Sequence, residues 1–155
     1  MKRAYVAFLL LLCGYGAGAQ IVITPDSAYR EADQYTYELV VHAKVYNNTG
    51  APDTIVWVRI QDSLPGCWTV AVCDKNQCYA PTVMAEEFYL PAGDSSILDV
   101  HFYTCPCGMG KERVMAYAKS DTVNLRDTSV YIGQIWCVGV PKVENIKPEM
   151  LLYPN

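Results

Sequence analysis

Hydrophobic and polar side chains alternate with a period of two along much of this chain, which is typical of β-strands with one buried face. The clearest stretch covers residues 35–46. Its expected core face consists of Tyr35, Tyr37, Leu39, Val41, Ala43 and Val45. Two later stretches, residues 96–104 and 112–119, follow the same pattern. Their expected inward residues are Leu98, Val100, Phe102, Val114, Ala116 and Ala118.

Residues 54–62 form a further predicted strand, in which we expect Val56, Val58 and Ile60 to face the core. Trp57 then points the other way, toward solvent. Turn-forming residues separate the strands, as in the Pro-Ala-Gly-Asp sequence of residues 91–94.

We count seven or eight short strands and find no helical period after residue 19. The chain is therefore predicted to be all-β, an antiparallel β-sandwich of immunoglobulin-like or fibronectin-like architecture. The Cys…Trp…Cys arrangement of true immunoglobulin domains is not clearly present, since no cysteine lies in the strand before Trp57.

The N-terminus has the pattern of a secretory signal peptide at residues 1–19. Two basic residues precede an apolar run at residues 4–12, and Ala17-Gly18-Ala19 supplies a small-x-small cleavage site. The run is shorter than the roughly 20 residues that cross a bilayer. Lipid attachment at Cys13 is disfavoured because the bulky Leu12 precedes it. We expect a secreted or cell-surface protein with no transmembrane segment in the mature chain.

The remaining residues divide into a predicted sandwich at 20–137 and a linker at 138–155 that contains Pro141 and Pro148. Without Lys2 and Arg3 the chain has 10 basic and 16 acidic residues, a net charge of −6. Because no run of basic residues is present, nucleic acid and anionic membranes are excluded as expected partners.

Six cysteines remain after cleavage, and an even number in an exported chain favours disulfides. We expect Cys73 and Cys78 to pair across a short loop. The pairing of the other four is left open among Cys67, Cys105, Cys107 and Cys137. Each cysteine of the Cys105-Pro106-Cys107 sequence is expected to bond a distant partner. The alternative is a thiol-based metal or redox site there, assisted by Met109 and Met115.

Few residues suggest catalysis. His101 and Asp99 share one strand face, but no Gly-x-Ser-x-Gly nucleophile sequence accompanies them. We expect His101 and the only other histidine, His42, to be solvated, and we predict no catalytic, cofactor-binding or metal-binding residues. A second hypothesis assigns glycan or peptide binding to exposed aromatic residues, namely Trp57, Trp68 and Tyr79.

Two motifs carry a family resemblance. Leu152-Tyr153-Pro154-Asn155 resembles the opening of the C-terminal sorting domain of type IX secretion cargo in Bacteroidota. Residues 64–68 and 73–79 are similar to a Trp…Cys-Asp…Cys-Tyr signature in an immunoglobulin-like module that precedes this sorting domain. The module covers about residues 35–137, and the sorting motif is expected to be truncated after its first four residues.

The resemblance implies no catalytic residues. It implies a non-enzymatic secreted or cell-surface β-sandwich with a structural, spacer or adhesive role in a type IX secretion cargo-like protein. The expected partners are the export machinery, through the signal peptide, and an extracellular glycan or protein.

Overall fold

The computed structural model describes residues 20–105 and 107–137, and every regular element in them is a β-strand. The strands form two sheets around a common apolar core, so the predicted immunoglobulin-like β-sandwich is confirmed. The strands are β1 (Ile21–Thr24), β2 (Ser27–Asp33), β3 (Glu38–Val41), β4 (Lys44–Asn47), β5 (Asp53–Ser63), β6 (Thr69–Asp74), β7 (Ala85–Leu90), β8 (Ser95–Tyr103), β9 (Gly108–Ala118) and β10 (Asp121–Trp136).

The first sheet is built around β8. Strands β3 and β4 pair with successive parts of one edge of β8, β6 pairs with its other edge, and β1 pairs with β4. The second sheet has the order β2-β10-β9-β5-β7. All pairings are antiparallel except that between β2 and β10.

The N-terminal segment belongs to both sheets. After β1 the chain turns at the cis peptide bond between Thr24 and Pro25, and β2 then joins the opposite sheet. The backbone N–H of Ile23 donates to Asp127 Oδ2 over 2.7 Å, just after the register shift in β10 between Asp121 and Arg126. Because β2 runs parallel to β10, with Asp33 opposite Trp136, the described part of the chain begins and ends at opposite ends of the sandwich.

Most of the predicted alternation agrees with the structure. In β3 and β4 the residues facing the core include Leu39, Val41 and Val45, while the predicted members Tyr35 and Tyr37 are exposed. Strands β8 and β9 bury every predicted inward residue. This agreement follows from the contrast between apolar and polar faces in these stretches.

The prediction for β5 was wrong in its orientation. Ile55, Trp57 and Arg59 face the core, and Val56 and Val58 lie on the outer face. Both faces of this strand carry apolar residues, so hydrophobic alternation alone does not select one. The inward face is possible because Trp57 Nε1 and the Nη1 and Nη2 atoms of Arg59 find partners inside the sandwich.

Two strands, β1 and β2, were missed, and residues 20–137 contain ten described strands rather than seven or eight. Strand β9 also begins at Gly108, four residues before the predicted stretch of residues 112–119. Among the described residues no helix has the length and apolar character of a membrane span. The predicted signal peptide and the predicted linker with its sorting motif lie outside the described residues.

Candidate functional site

The six cysteines of the described residues lie in three pairs at disulfide distance. Cys67 pairs with Cys105, Cys73 with Cys78, and Cys107 with Cys137. The Cα atoms are 6.0 Å, 3.9 Å and 5.3 Å apart, respectively. The metal or redox hypothesis for Cys105 and Cys107 therefore finds no free thiol, because each sulfur is bonded to a distant cysteine.

Two of these disulfides meet at the end of the sandwich where β10 ends. Cys105 and Cys107 flank one residue in the connection between β8 and β9. Cys105 ties this connection to the segment before β6, and Cys107 ties it to Cys137, the residue after β10. We call this group of four cysteines the terminal clamp. It fastens three separate chain segments together at the end of β10.

The predicted aromatic binding surface does not form. Trp57 is 0% exposed and Trp68 is 4% exposed, so neither indole is available to a ligand. Tyr79 is partly exposed, but its ring packs edge-on against Trp57 with 5.3 Å between centroids. These three residues belong to the core and its border, where aromatic rings contribute apolar area to packing.

Each buried indole has a specific hydrogen-bond acceptor. Trp57 Nε1 donates to Asp74 Oδ2 over 2.9 Å, which joins β5 of one sheet to the end of β6 in the other. Trp68 Nε1 donates to the carbonyl oxygen of Cys105 over 2.7 Å, inside the terminal clamp. Burial of both side chains therefore leaves no indole N–H without a partner.

A buried charged cluster lies between the sheets and was not anticipated. Glu112 is 0% exposed and Arg59 is nearly as buried. Arg59 Nη2 contacts Asp62 Oδ2 at 2.6 Å and Glu112 Oε2 at 3.3 Å, and Nη1 donates to the carbonyl oxygens of Val70 and Pro81. Two atoms of the cluster, Arg59 Nε and Glu112 Oε1, have no hydrogen-bond partner.

Burial sets the protonation behaviour of this cluster. Loss of water raises the pKa of Glu112 to about 8, and the nearby Asp62 carboxylate adds to the rise while Arg59 opposes it. Glu112 therefore holds a proton over much of the neutral range. Glu112 itself is 0% exposed, so its carboxyl group serves the packing of the two sheets through Arg59.

The outer face of the first sheet carries both histidines, each beside a carboxylate. His42 Nδ1 lies 2.9 Å from Asp99 Oδ2, and His101 Nδ1 lies 2.7 Å from Glu38 Oε1. The sequence had suggested His101 and Asp99 as neighbours on one strand. The structure instead pairs each of them with a residue at or beside β3.

The two pairs differ in their surroundings. His42 is mostly exposed and lies between two shallow depressions of about 330 Å³ each. Asp99 Oδ1 also accepts the backbone N–H of Ala43, so this pair fixes the break between β3 and β4. Within the described residues the side-chain partner of each histidine is a carboxylate, Asp99 for His42 and Glu38 for His101.

His101 lies next to the Cys73–Cys78 disulfide. The two sulfur atoms and a ring nitrogen of His101 all lie within 4.8 Å of one another. Strand pairing explains this proximity: His101 is opposite Ala71, which is two residues from Cys73 on the same face of β6. No sequence pattern indicates this proximity, because 23 or more positions separate His101 from either cysteine.

Comparisons with known proteins identify the fold alone. No protein-family model matches the chain, and the comparison with curated proteins gives no match. The structure is similar to one described as the N-terminal domain of PorA, with a TM-score of 0.55 and 15% identity over 75% of this chain and 97% of that one. It is also similar to the CooA pilin subunit from enterotoxigenic Escherichia coli, with a TM-score of 0.50 and 9% identity over 77% and 99% of the respective chains.

Proposed function

We propose that this chain is a non-enzymatic spacer module of an exported cell-surface protein. The observation that carries the proposal is the position of the two ends of the domain. Ile23 lies beside Asp127, just after the register shift in β10 between Asp121 and Arg126, and Cys137 follows the end of β10. About nine extended residues of β10 separate Asp127 from Cys137, which places the two ends of the domain roughly 30 Å apart. A module with ends at opposite poles lengthens a chain of domains.

The strand arrangement suits a module under tension. Force on the two ends pulls β2 and β10 in opposite directions along their length. Seven residue pairs connect these parallel strands, from Ser27 opposite Val130 to Asp33 opposite Trp136. Their hydrogen bonds are loaded in shear, so they resist together rather than opening one at a time.

The terminal clamp supports the same role. Force that enters at Cys137 passes through its disulfide to Cys107, and then from Cys105 to Cys67. Strands β6 to β10 lie inside the two covalent loops, so tension on the chain ends does not extend them. Disulfides are also typical of proteins that function outside the reducing cytosol.

We propose that residues 1–19 direct the chain out of the cytoplasm and that residues 20–137 form the spacer. Residues 138–155 would lead to a type IX sorting domain, because Leu152-Tyr153-Pro154-Asn155 resembles the start of one. A PorA domain and a pilin subunit share the fold, which is compatible with a modular or assembled surface protein.

Single-molecule stretching of the mature chain tests the spacer role. With the terminal clamp oxidised, about 49 backbone steps between residues 20 and 137 can extend, which is roughly 180 Å at full extension. Reduction of the terminal clamp raises the total to about 117 backbone steps. The reduced chain should therefore extend roughly 230 Å further than the oxidised chain.

The control is a Cys73→Ser/Cys78→Ser chain, whose disulfide lies inside the loop closed by Cys67 and Cys105. It should show the same extension as the parent under oxidising conditions. An oxidised parent that extends to the full reduced length, or that unfolds without measurable resistance, contradicts a spacer built on the terminal clamp.

Export is tested separately in cells. The chain is joined to a complete sorting domain in a bacterium with a type IX system, and intact cells are treated with a protease. Loss of the mature protein supports surface display. Recovery of intact protein from the periplasm alone argues against the export proposal and leaves the spacer proposal unaffected.

A further inference from the structure

The surroundings of the Cys73–Cys78 disulfide suggest a second state of this protein. Cys73 is buried at the end of β6, while Cys78 is exposed in the loop that follows. His101 approaches the two sulfurs from the adjacent strand, and the three donor atoms fit within 4.8 Å. Two sulfurs and an imidazole nitrogen so close together are a typical set of ligands for zinc or copper.

Glu38 prepares His101 for this role. Its carboxylate lies 2.7 Å from Nδ1 of the imidazole, which favours a proton on Nδ1 and a free electron pair on Nε2. Histidines that bind metals commonly donate their second ring N–H to a carboxylate in this way. Glu38 belongs to β3, which pairs with the edge of β8 opposite to β6. The contact between Glu38 and His101 is therefore independent of the cysteine loop.

We propose that reduction of the Cys73–Cys78 disulfide creates a site for a thiophilic cation, Zn²⁺ or Cu⁺, with Cys73, Cys78 and His101 as ligands. Calcium and magnesium are unsuited to this set because they prefer oxygen donors. Three protein ligands leave a further coordination position open. Exposure of Cys78 gives the cation a path from solvent.

The change of state is a thiol–disulfide exchange with a dithiol reductant. One thiolate of the dithiol attacks Sγ of the exposed Cys78, and the Sγ–Sγ bond to Cys73 breaks. The second thiol of the reductant then displaces Cys78, so that the reductant leaves as a disulfide. The protein gains two electrons and two protons, and cation binding to the two thiolates releases the two protons.

The rest of the fold is expected to survive this reduction. The Cys73–Cys78 bond closes a loop of sequence separation 5, whereas the bonds of the terminal clamp close separations of 38 and 30. A disulfide that closes a short loop removes less chain entropy from the unfolded state. Loss of the Cys73–Cys78 bond should therefore lower the stability of the fold less than loss of either bond of the terminal clamp. The backbone bonds from Asp74 N to Gln77 O and from Tyr79 N to Val72 O keep the loop in place.

Titration of the mature chain with Co²⁺ tests the proposal, because cobalt replaces zinc and reports thiolate ligation in its absorption spectrum. A limiting amount of dithiol is added first, and alkylation with peptide mapping verifies that only Cys73 and Cys78 are reduced. We expect one equivalent of Co²⁺ to bind with a thiolate-to-metal charge-transfer band, and Zn²⁺ to displace it. The oxidised chain should bind none.

Three variants identify the ligands. His101→Ala should weaken Co²⁺ binding at least tenfold, and Glu38→Ala should weaken it about tenfold through the imidazole. His42→Ala is the matched control, since it removes the other histidine that has a carboxylate partner on this face. The proposal is overturned if the reduced parent shows no charge-transfer band, or if His101→Ala and His42→Ala bind Co²⁺ as tightly as the parent.

Discussion

The indole of Trp57 and the carboxylate of Asp74 form a hydrogen bond of 2.9 Å inside the sandwich, and this bond connects the two sheets. The other carboxylate oxygen, Oδ1, accepts the backbone N–H groups of Asn76 and Gln77. One buried aspartate therefore holds both the central tryptophan and the loop that carries Cys78. Its loss should affect core stability and loop structure together.

We expect Asp74→Ala to lower the free energy of unfolding by about 1–3 kcal/mol, because the buried Trp57 N–H loses its acceptor. Asp74→Asn keeps an acceptor oxygen and should cost less. Guanidinium unfolding of both variants, of Trp57→Phe and of the double variant gives the coupling energy between the two side chains. Purely additive effects of the two substitutions would contradict a direct interaction.

The stability of the protein should depend on pH through Glu112. Its pKa is about 8 in the folded state and near 4.5 when unfolded, so the folded chain binds the additional proton between these values. Stability from this group is therefore present below about pH 4.5 and is lost as the pH rises toward 8. The slope approaches about 1.4 kcal/mol per pH unit at its steepest.

Glu112→Gln removes this dependence. The difference in unfolding free energy between parent and variant, measured at several pH values from 4 to about 9, cancels the contributions of all other groups. We expect the parent to lose stability relative to the variant as the pH rises. The exposed Glu86→Gln variant serves as control and should track the parent. A constant difference between parent and Glu112→Gln would refute the assignment.

Gly110 lies where the core leaves no room for a side chain. A Cβ atom there would approach Trp68 Cε3 to 2.8 Å and Phe102 Cδ1 to 3.1 Å. Gly110→Ala should therefore destabilise the fold by about 1–3 kcal/mol through overpacking. At Gly66 nothing lies within 4 Å of the added carbon, so Gly66→Ala is the matched control. Equal thermal unfolding midpoints for the two variants would show that the core adapts.

The sequence predicted the fold class because several strands have one distinctly apolar face. In β8 the inward residues Leu98, Val100 and Phe102 alternate with Asp99 and His101, so only one orientation buries a hydrophobic surface. In β5 both faces are apolar, and the orientation is decided by distant partners of Trp57 and Arg59. Period-two patterns contain no information about such partners.

The candidate site could not be predicted for a similar reason. Glu38 is 63 residues from His101, and Arg59 is 53 residues from Glu112. Strand pairing across the sheets brings these residues together, and a single sequence does not specify which strands are neighbours. The aromatic hypothesis did not hold for Trp57 and Trp68 because buried carboxylate and carbonyl acceptors allow an indole to lie inside the core.

The three disulfides should contribute unequally to stability. In the chain-entropy description, closing loops of separation 38 and 30 stabilises by about 4 kcal/mol each, and closing a separation of 5 by about 2 kcal/mol. Replacing both cysteines of one pair by serine isolates each contribution, and guanidinium unfolding under oxidising conditions measures it. We expect Cys107→Ser/Cys137→Ser to lose about twice as much stability as Cys73→Ser/Cys78→Ser. The reverse order would mean that the small loop, rather than the terminal clamp, is the main covalent support of the fold.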